Sequence, residues 1–244
     1  MLNSDNDVYI STSSLYKMVN PTSMGVPLLN VPIDMKTNVD LRPSFTWTAS
    51  KKAELYELEV SQSDNFDYAN IFFTQAPTEL TVFDSLLYNT KYYWKVRGKS
   101  NGSYSDWSIS REFTTKLAPP LLASPIDGKR GIRVLPKLYW HPVEGSSSYT
   151  VQISNSNSFT NIAFTGTVAN DTMLIDSTIE LSALTNYWWR VRASSSISTS
   201  DWSNSWQFRT TVDRPKLRYP NKGSKTEDID LISRWDTVKE ATDY

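Results

Sequence analysis

The sequence predicts an all-β protein: two-sheet sandwiches in tandem behind an extended N-terminal arm. Three observations carry this. The first is an internal repeat. Trp47, Trp140 and Trp235 recur at spacings of 93 and 95, and so do Tyr56, Tyr149 and Tyr244. Such a period is well above the roughly 20–50 residues of a solenoid, so each repeat should be a domain with its own core. The second is strand-like alternation. Tyr56-Glu-Leu-Glu-Val60 and Tyr149-Thr-Val-Gln-Ile153 alternate apolar with polar, the mark of a half-buried antiparallel strand. The third is punctuation by Pro and by clusters of Asp, Asn, Ser and Gly, with no long helical period between them.

Taken in order, residues 1–25 belong to no repeat and form the arm. The first repeat occupies 26–116 and the second 117–212; residues 213–244 open a third. In each repeat a Pro-Ile-Asp or Pro-Asn-Lys-Gly stretch begins at Pro32, Pro125 or Pro220. A strand ending in Trp47, Trp140 or Trp235 follows, and nine residues later comes the Tyr of the next strand. Farther along, Leu86, Thr90, Tyr92, Trp94, Val96, Arg97 and Trp107 return 95 residues on as Leu181, Thr185, Tyr187, Trp189, Val191, Arg192 and Trp202. In this strand Tyr92, Trp94, Val96 and Gly98 share one face, while Tyr93, Lys95 and Arg97 share the other; Trp188, Arg190 and Arg192 match the second set. Phe113 and Phe208 close the two complete repeats. The offset grows from 93 to 95 between Phe66/Phe159 and Leu86/Leu181, which places a two-residue insertion in a loop. Short, proline-bearing linkers, Thr114 to Pro120 and Thr210 to Pro215, predict a semi-rigid array.

These residues resemble fibronectin type III domains in their bacterial and phage-like form, an immunoglobulin-like β-sandwich. The resemblance rests on the Trp of the second strand, expected to be buried at Trp47, Trp140 and Trp235, and on the Tyr-x-apolar-x-apolar third strand. Its most specific part is Leu86…Thr90-Lys-Tyr92 and Leu181…Thr185-Asn-Tyr187. In the family that pattern is a tyrosine corner, so the resemblance implies that each Tyr hydroxyl ties down nearby backbone. The third repeat departs from the pattern, with Ser233 where Phe45 and Leu138 stand.

Composition narrows function by exclusion. With 25 Lys+Arg against 26 Asp+Glu, the net charge of −1 gives no footprint for nucleic acid or an anionic membrane. No Cys is present, which removes disulfides, thiolate metal sites and a cysteine nucleophile, and a single His removes multi-histidine centres. No cofactor is expected. The opening Met1–Asp7 is acidic and polar, unlike a secretory signal, and no run of about 20 apolar residues suggests membrane insertion. No nucleophile, base and orienter come together in the sequence, so an enzyme is not expected.

The candidate binding residues fall in two groups. Val8, Tyr9, Ile10, Leu15 and Tyr16 form two apolar clusters in the arm; they are either part of a disordered tail or a strand seed that adds to a partner's sheet edge. Tyr93, Tyr104 and Trp188 are outward aromatics that could stack sugar rings or simply cover neighbouring strands. Lys95/Arg97 with Trp107, and Arg190/Arg192 with Trp202, resemble the Trp-Arg ladder of cytokine-receptor sandwiches, with a structural role as the simpler reading. Asp5-Asn6-Asp7 and Ser63-Asp64-Asn65 lack calcium-loop spacing and read as turns. His141 reads as a strand-end histidine. The expectation for function is a non-enzymatic structural and adhesive protein of a bacteriophage virion. The arm would dock on a capsid or tail protein, and the repeats would project toward a host surface glycan or protein. The alternative is a spacer or binding module of a secreted, cell-surface bacterial protein or polysaccharide-degrading enzyme.

Overall fold

A computed structural model of the chain describes residues 24–75, 78–81, 86–176, 178–179, 181–219 and 233–238. The arm residues Val8, Tyr9, Ile10, Leu15 and Tyr16, together with Asp5-Asn6-Asp7 and Tyr244, lie outside them. Contacts divide the chain into two compact units, Met1–Lys116 and Leu117–Tyr244. Among the described residues no helix is long and apolar enough to cross a membrane.

Unit 1 is a sandwich of two sheets. The smaller has the order β1 (Leu29–Val31), β3 (Ser44–Trp47), β6 (Glu79–Thr81). The larger runs β2 (Lys36–Val39), β9 (Arg111–Thr115), β7 (Lys91–Ser100), β4 (Leu55–Ser61), β5 (Asn70–Gln75), with β8 (Ser103–Tyr104) also on β7. The chain changes sheet at the cis Val31–Pro32 bond, after which β2 pairs with β9 in parallel. All other pairings are antiparallel. This is the fibronectin type III strand arrangement.

Unit 2 repeats it. Its smaller sheet is β10 (Leu122–Ser124), β12 (Lys137–Trp140), β15 (Thr172–Leu174). The larger is β11 (Lys129–Ile132), β17 (Trp206–Thr210), β16 (Asn186–Ser194), β13 (Ser148–Ser154), β14 (Ile162–Val168). The sheet change again falls at a cis proline, Ser124–Pro125. Equivalent positions are 93 residues apart at Thr81 and Leu174 and 95 apart from Leu86 and Leu181, so the two-residue insertion lies between β15 and Leu181; within β5 and β14, where unit 2 has a register shift at Ile153/Ser154, the offset is 94.

Period-two alternation builds the two cores. On β7 Tyr92, Trp94, Val96 and Gly98 point inward, and on β16 Tyr187, Trp189, Val191 and Ala193 do so. Phe45 meets Trp94 edge-on at 5.0 Å and Phe113 at 5.8 Å. Trp47 and Trp140 are buried, each packed on the Tyr nine residues later, at 5.5 and 5.4 Å. Those tyrosines also hold the turn before their own strand: Tyr56 accepts the Ser50 N–H and Tyr149 the Val143 N–H, both at 2.8 Å. At Gly166 the same inward row has no side chain. A Cβ there would come within 2.4 Å of the Phe164 ring, which occupies the space that Phe72 fills in unit 1.

The tyrosine corner forms in both units. The Leu87 N–H donates to the Tyr92 hydroxyl and the Ser182 N–H to that of Tyr187, each at 3.0 Å. A buried threonine braces each corner: Thr115 accepts from the Thr90 N–H, and Thr210 from that of Thr185, both at 2.9 Å. Tyr92→Phe should leave the Leu87 N–H without its partner and lower unit 1 stability by about 1–2 kcal/mol. Denaturant melting of the full chain reads this directly; an unmoved unit 1 transition would mean the hydroxyl is dispensable.

In the third repeat β18 (Leu217–Tyr219) pairs with β19 (Arg234–Trp235). Trp235 sits opposite Leu217, as Trp47 sits opposite Leu29 and Trp140 opposite Leu122. The expectation that Trp235 is buried is not met, because it is 42% exposed. Its pairing is local, but burial needs a second sheet, and among the described residues none faces this strand pair.

Candidate interaction surface

The sheet that carries β7 or β16 has an outward face, and there the charged residues collect. On unit 1 they interleave with rings. Lys95 Nζ lies 3.9 Å from the Phe66 centroid and 4.5 Å from that of Trp107. The Arg97 guanidinium lies 4.3 Å from Trp107 and 3.9 Å from Tyr104, and Lys99 continues the row at 5.0 Å from Tyr104. Each such contact is worth about 0.5–2 kcal/mol, more as water is excluded. Unit 2 carries a shorter row: Phe159, Arg190, Trp202, Arg192, with separations of 3.9, 4.4 and 4.8 Å. Phe66 and Phe159, which begin the two rows, both have positive φ, 63° and 56°. Bulky residues rarely adopt that region, so the packing against the cation holds a strained backbone in place.

The Trp of each row is fixed by neighbouring serines that the strand pattern does not single out. Ser105 and Ser108 flank Trp107, and both are buried. Ser108 Oγ accepts the Val96 N–H at 3.0 Å and Ser105 Oγ that of Gly98 at 2.9 Å. Ser203 and Ser200 do the same for Val191 and Ala193 at 3.0 and 2.9 Å. The segment thereby continues the sheet with side-chain hydroxyls in place of backbone carbonyls. Its signal was visible in the duplicated Ser-Asp-Trp-Ser.

Counter-charges distinguish the two faces. In unit 1 Glu57, 4% exposed, takes Arg97 Nε at 3.1 Å and Nη2 at 2.9 Å. Glu59 takes Lys95 at 3.0 Å, and Glu112 takes Lys91 at 2.9 Å. The hydrogen bond to Glu112 raises the Lys91 pKa above the usual lysine value. In unit 2 Arg190 donates to Gln152 Oε1 from Nε at 3.0 Å and Nη2 at 2.8 Å. Burial, and secondarily the charge of Arg192, lower the Arg190 pKa.

The three outward aromatics divide between the units. Tyr104 belongs to unit 1 with Tyr93, and Trp188 belongs to unit 2. Tyr93 precedes Lys99, the strand partner of Tyr104, by six residues along β7, roughly 20 Å at the rise of a strand. Tyr93 and Trp188 are half-buried rather than exposed, because the outward rows of adjacent strands flank them. Tyr104 is 42% exposed, but Arg97 and Lys99 lie over its ring. His141 is exposed at the end of β12. Ser63-Asp64-Asn65 forms a turn closed on itself, with Asn65 Nδ2 donating to Asp67 at 2.6 Å. Among the described residues no group of three or more acidic, His or Cys side chains is placed to hold a metal.

No protein-family model and no curated protein matches the sequence. Several solved structures resemble the fold. The FN1–FN3 domains of chicken CNTN1 are 13% identical over 77% of this chain and 67% of that one, with a TM-score of 0.39. The chicken interferon gamma receptor alpha chain is 15% identical, covering 76% and 98%, with a TM-score of 0.38. A two-domain fibronectin type III segment of chicken tenascin is 15% identical, covering 75% and 99%, with a TM-score of 0.36. Likeness at this level adds nothing about role, and the strand order of each unit defines the sandwich by itself.

Proposed function

We propose that the chain is a non-enzymatic structural and adhesive protein of a bacteriophage particle. Residues 1–25 hold it to a capsid or tail protein, and the fibronectin type III repeats present their faces to the host surface. The observation that supports a structural module is duplication. Both units spend the same side chains on the same internal bonds: the tyrosine corner, the serine pair beside each Trp, and the cation–aromatic row. The reading of the arm as an anchor is supported by its two apolar clusters, Val8-Tyr9-Ile10 and Leu15-Tyr16, outside any repeat. A strand seed of this kind suits addition to a partner's open sheet edge.

The test is capture from purified particles and host lysate with residues 1–244 beside residues 26–244. Recovery of a capsid or tail protein by the longer chain alone is the expected result. Equal recovery by both chains, or recovery of no particle protein, would overturn the anchor.

A further inference from the structure

The two larger sheets place equivalent cations on their outward faces, but unit 2 lacks the carboxylates that balance them in unit 1. Lys95 and Arg97 correspond to Arg190 and Arg192 at the 95-residue offset. Their partners Glu59 and Glu57 correspond to Gln152 and Thr150, and Glu112 corresponds to Gln207. Strand register confirms the equivalence: Glu57 sits opposite Arg97 and Glu59 opposite Lys95, while Thr150 sits opposite Arg192 and Gln152 opposite Arg190. Glu112 is lost together with its own partner Lys91, which corresponds to Asn186, but the two carboxylates opposite the arginines are gone while both cations remain. Arg209 adds a third on the neighbouring strand, opposite Asn186. No Asp or Glu occurs in β13, β14, β16 or β17. Asp127, outside these strands, accepts the Gln207 N–H at 2.7 Å.

The consequence is a specific unfilled bond. Arg97 Nε donates to Glu57, whereas the equivalent Arg192 Nε is buried with no acceptor within hydrogen-bond distance. A guanidinium N–H removed from water without an acceptor is costly, and a carboxylate is the acceptor that its geometry matches best. We propose that this face binds an acidic polysaccharide, whose carboxylates meet the outward guanidinium groups of Arg190, Arg192 and Arg209, which no carboxylate on the face balances. A glycan suits the surroundings better than an acidic peptide. The face is a sheet surface set with the hydroxyls of Thr150, Thr165 and Thr167, the amide of Gln207 and the half-buried ring of Trp188. Sugar hydroxyls pair with the former and a sugar ring stacks on the latter. An extended peptide would instead seek a free strand edge or apolar pockets.

This deepens the adhesive half of the proposed function, on which it rests, by naming the ligand class; it involves no residue of the arm. The test is titration of the full chain with oligogalacturonate at low ionic strength, with maltooligosaccharide and polyglutamate as the neutral and peptide comparisons. Saturable binding of oligogalacturonate alone is expected. Thr150→Glu/Gln152→Glu installs the carboxylates of unit 1 without touching the Arg–Trp row. It should weaken oligogalacturonate binding at least about ten-fold by occupying both arginines internally, and circular dichroism would show that the fold is kept. Leu121→Glu/His141→Glu makes a similar charge change at exposed positions off this face, and should bind as the parent does. Absence of binding by the parent, equal loss in both double variants, or polyglutamate binding as tight as oligogalacturonate would each overturn the proposal. Because capture through residues 1–25 is scored separately, failure of the anchor and failure of this site are distinguishable.

Discussion

Trp94→Ala should unfold unit 1 at temperatures where unit 2 remains folded, and Trp189→Ala should do the reverse. Each Trp is fully buried at the centre of its core. Trp94 packs edge-on against Phe45 at 5.0 Å, and Trp189 against Trp206 at 6.3 Å. Truncating a buried aromatic to alanine costs about 3–5 kcal/mol, the lost transfer energy plus the cavity left behind. A domain of this size has only about 5–15 kcal/mol in total, so the loss removes much of its stability. The affected transition should drop by more than about 12 °C. The two cores share no residue, the first drawing on Leu29 to Phe113 and the second on Leu117 to Phe208. Calorimetry of the full chain checks this by following two transitions. A common shift of both in either variant would show that the cores are not energetically separate.

Arg97→Ala should cost more than its position on the outward face suggests. Its partner Glu57 has a side chain only 5% exposed, and the two form a forked pair. Removing one member of a buried pair strands the other charge, at about 3–5 kcal/mol when burial is complete. The Arg97 side chain is 25% exposed, so about 2–3 kcal/mol is the better expectation. The loss of stacking on Trp107 and Tyr104 adds to it. Arg97→Met/Glu57→Leu should recover most of the loss, since no charge is left buried and the volume is kept. Denaturation of the single and double variants measures the coupling. If Arg97→Ala is near neutral, the pair is solvated and the face is not a structural unit.

Much of this was legible in the sequence. The 93- and 95-residue spacings of Trp and Tyr carried the division into repeats, and the alternation in β4 and β13 and the Leu-x-x-x-Thr-x-Tyr pattern carried the sandwich and its corner, because the last two depend on near neighbours in the chain. The serines at 105, 108, 200 and 203 leave a signal in the duplicated Ser-Asp-Trp-Ser, but it does not tell what their hydroxyls bind. Serine usually marks a turn, and nothing in the local pattern says that these hydroxyls replace a strand's carbonyls. The outward aromatics show the opposite case. Tyr93, Tyr104 and Trp188 are alike in sequence, yet they differ in what covers them, which the adjacent strands decide.

The sequence by itself determined the repeat, the strand periodicity, the core rows and the positions of the cations, since these are properties of composition and local spacing. Only the tertiary structure decided which charges meet. Glu57 and Arg97 are forty residues apart, and antiparallel register alone makes them neighbours; one residue of slip would turn each to the opposite face. The same register sets Thr150 before Arg192. A substitution that looks unremarkable in the chain thus becomes, across the sheet, a cation without its carboxylate.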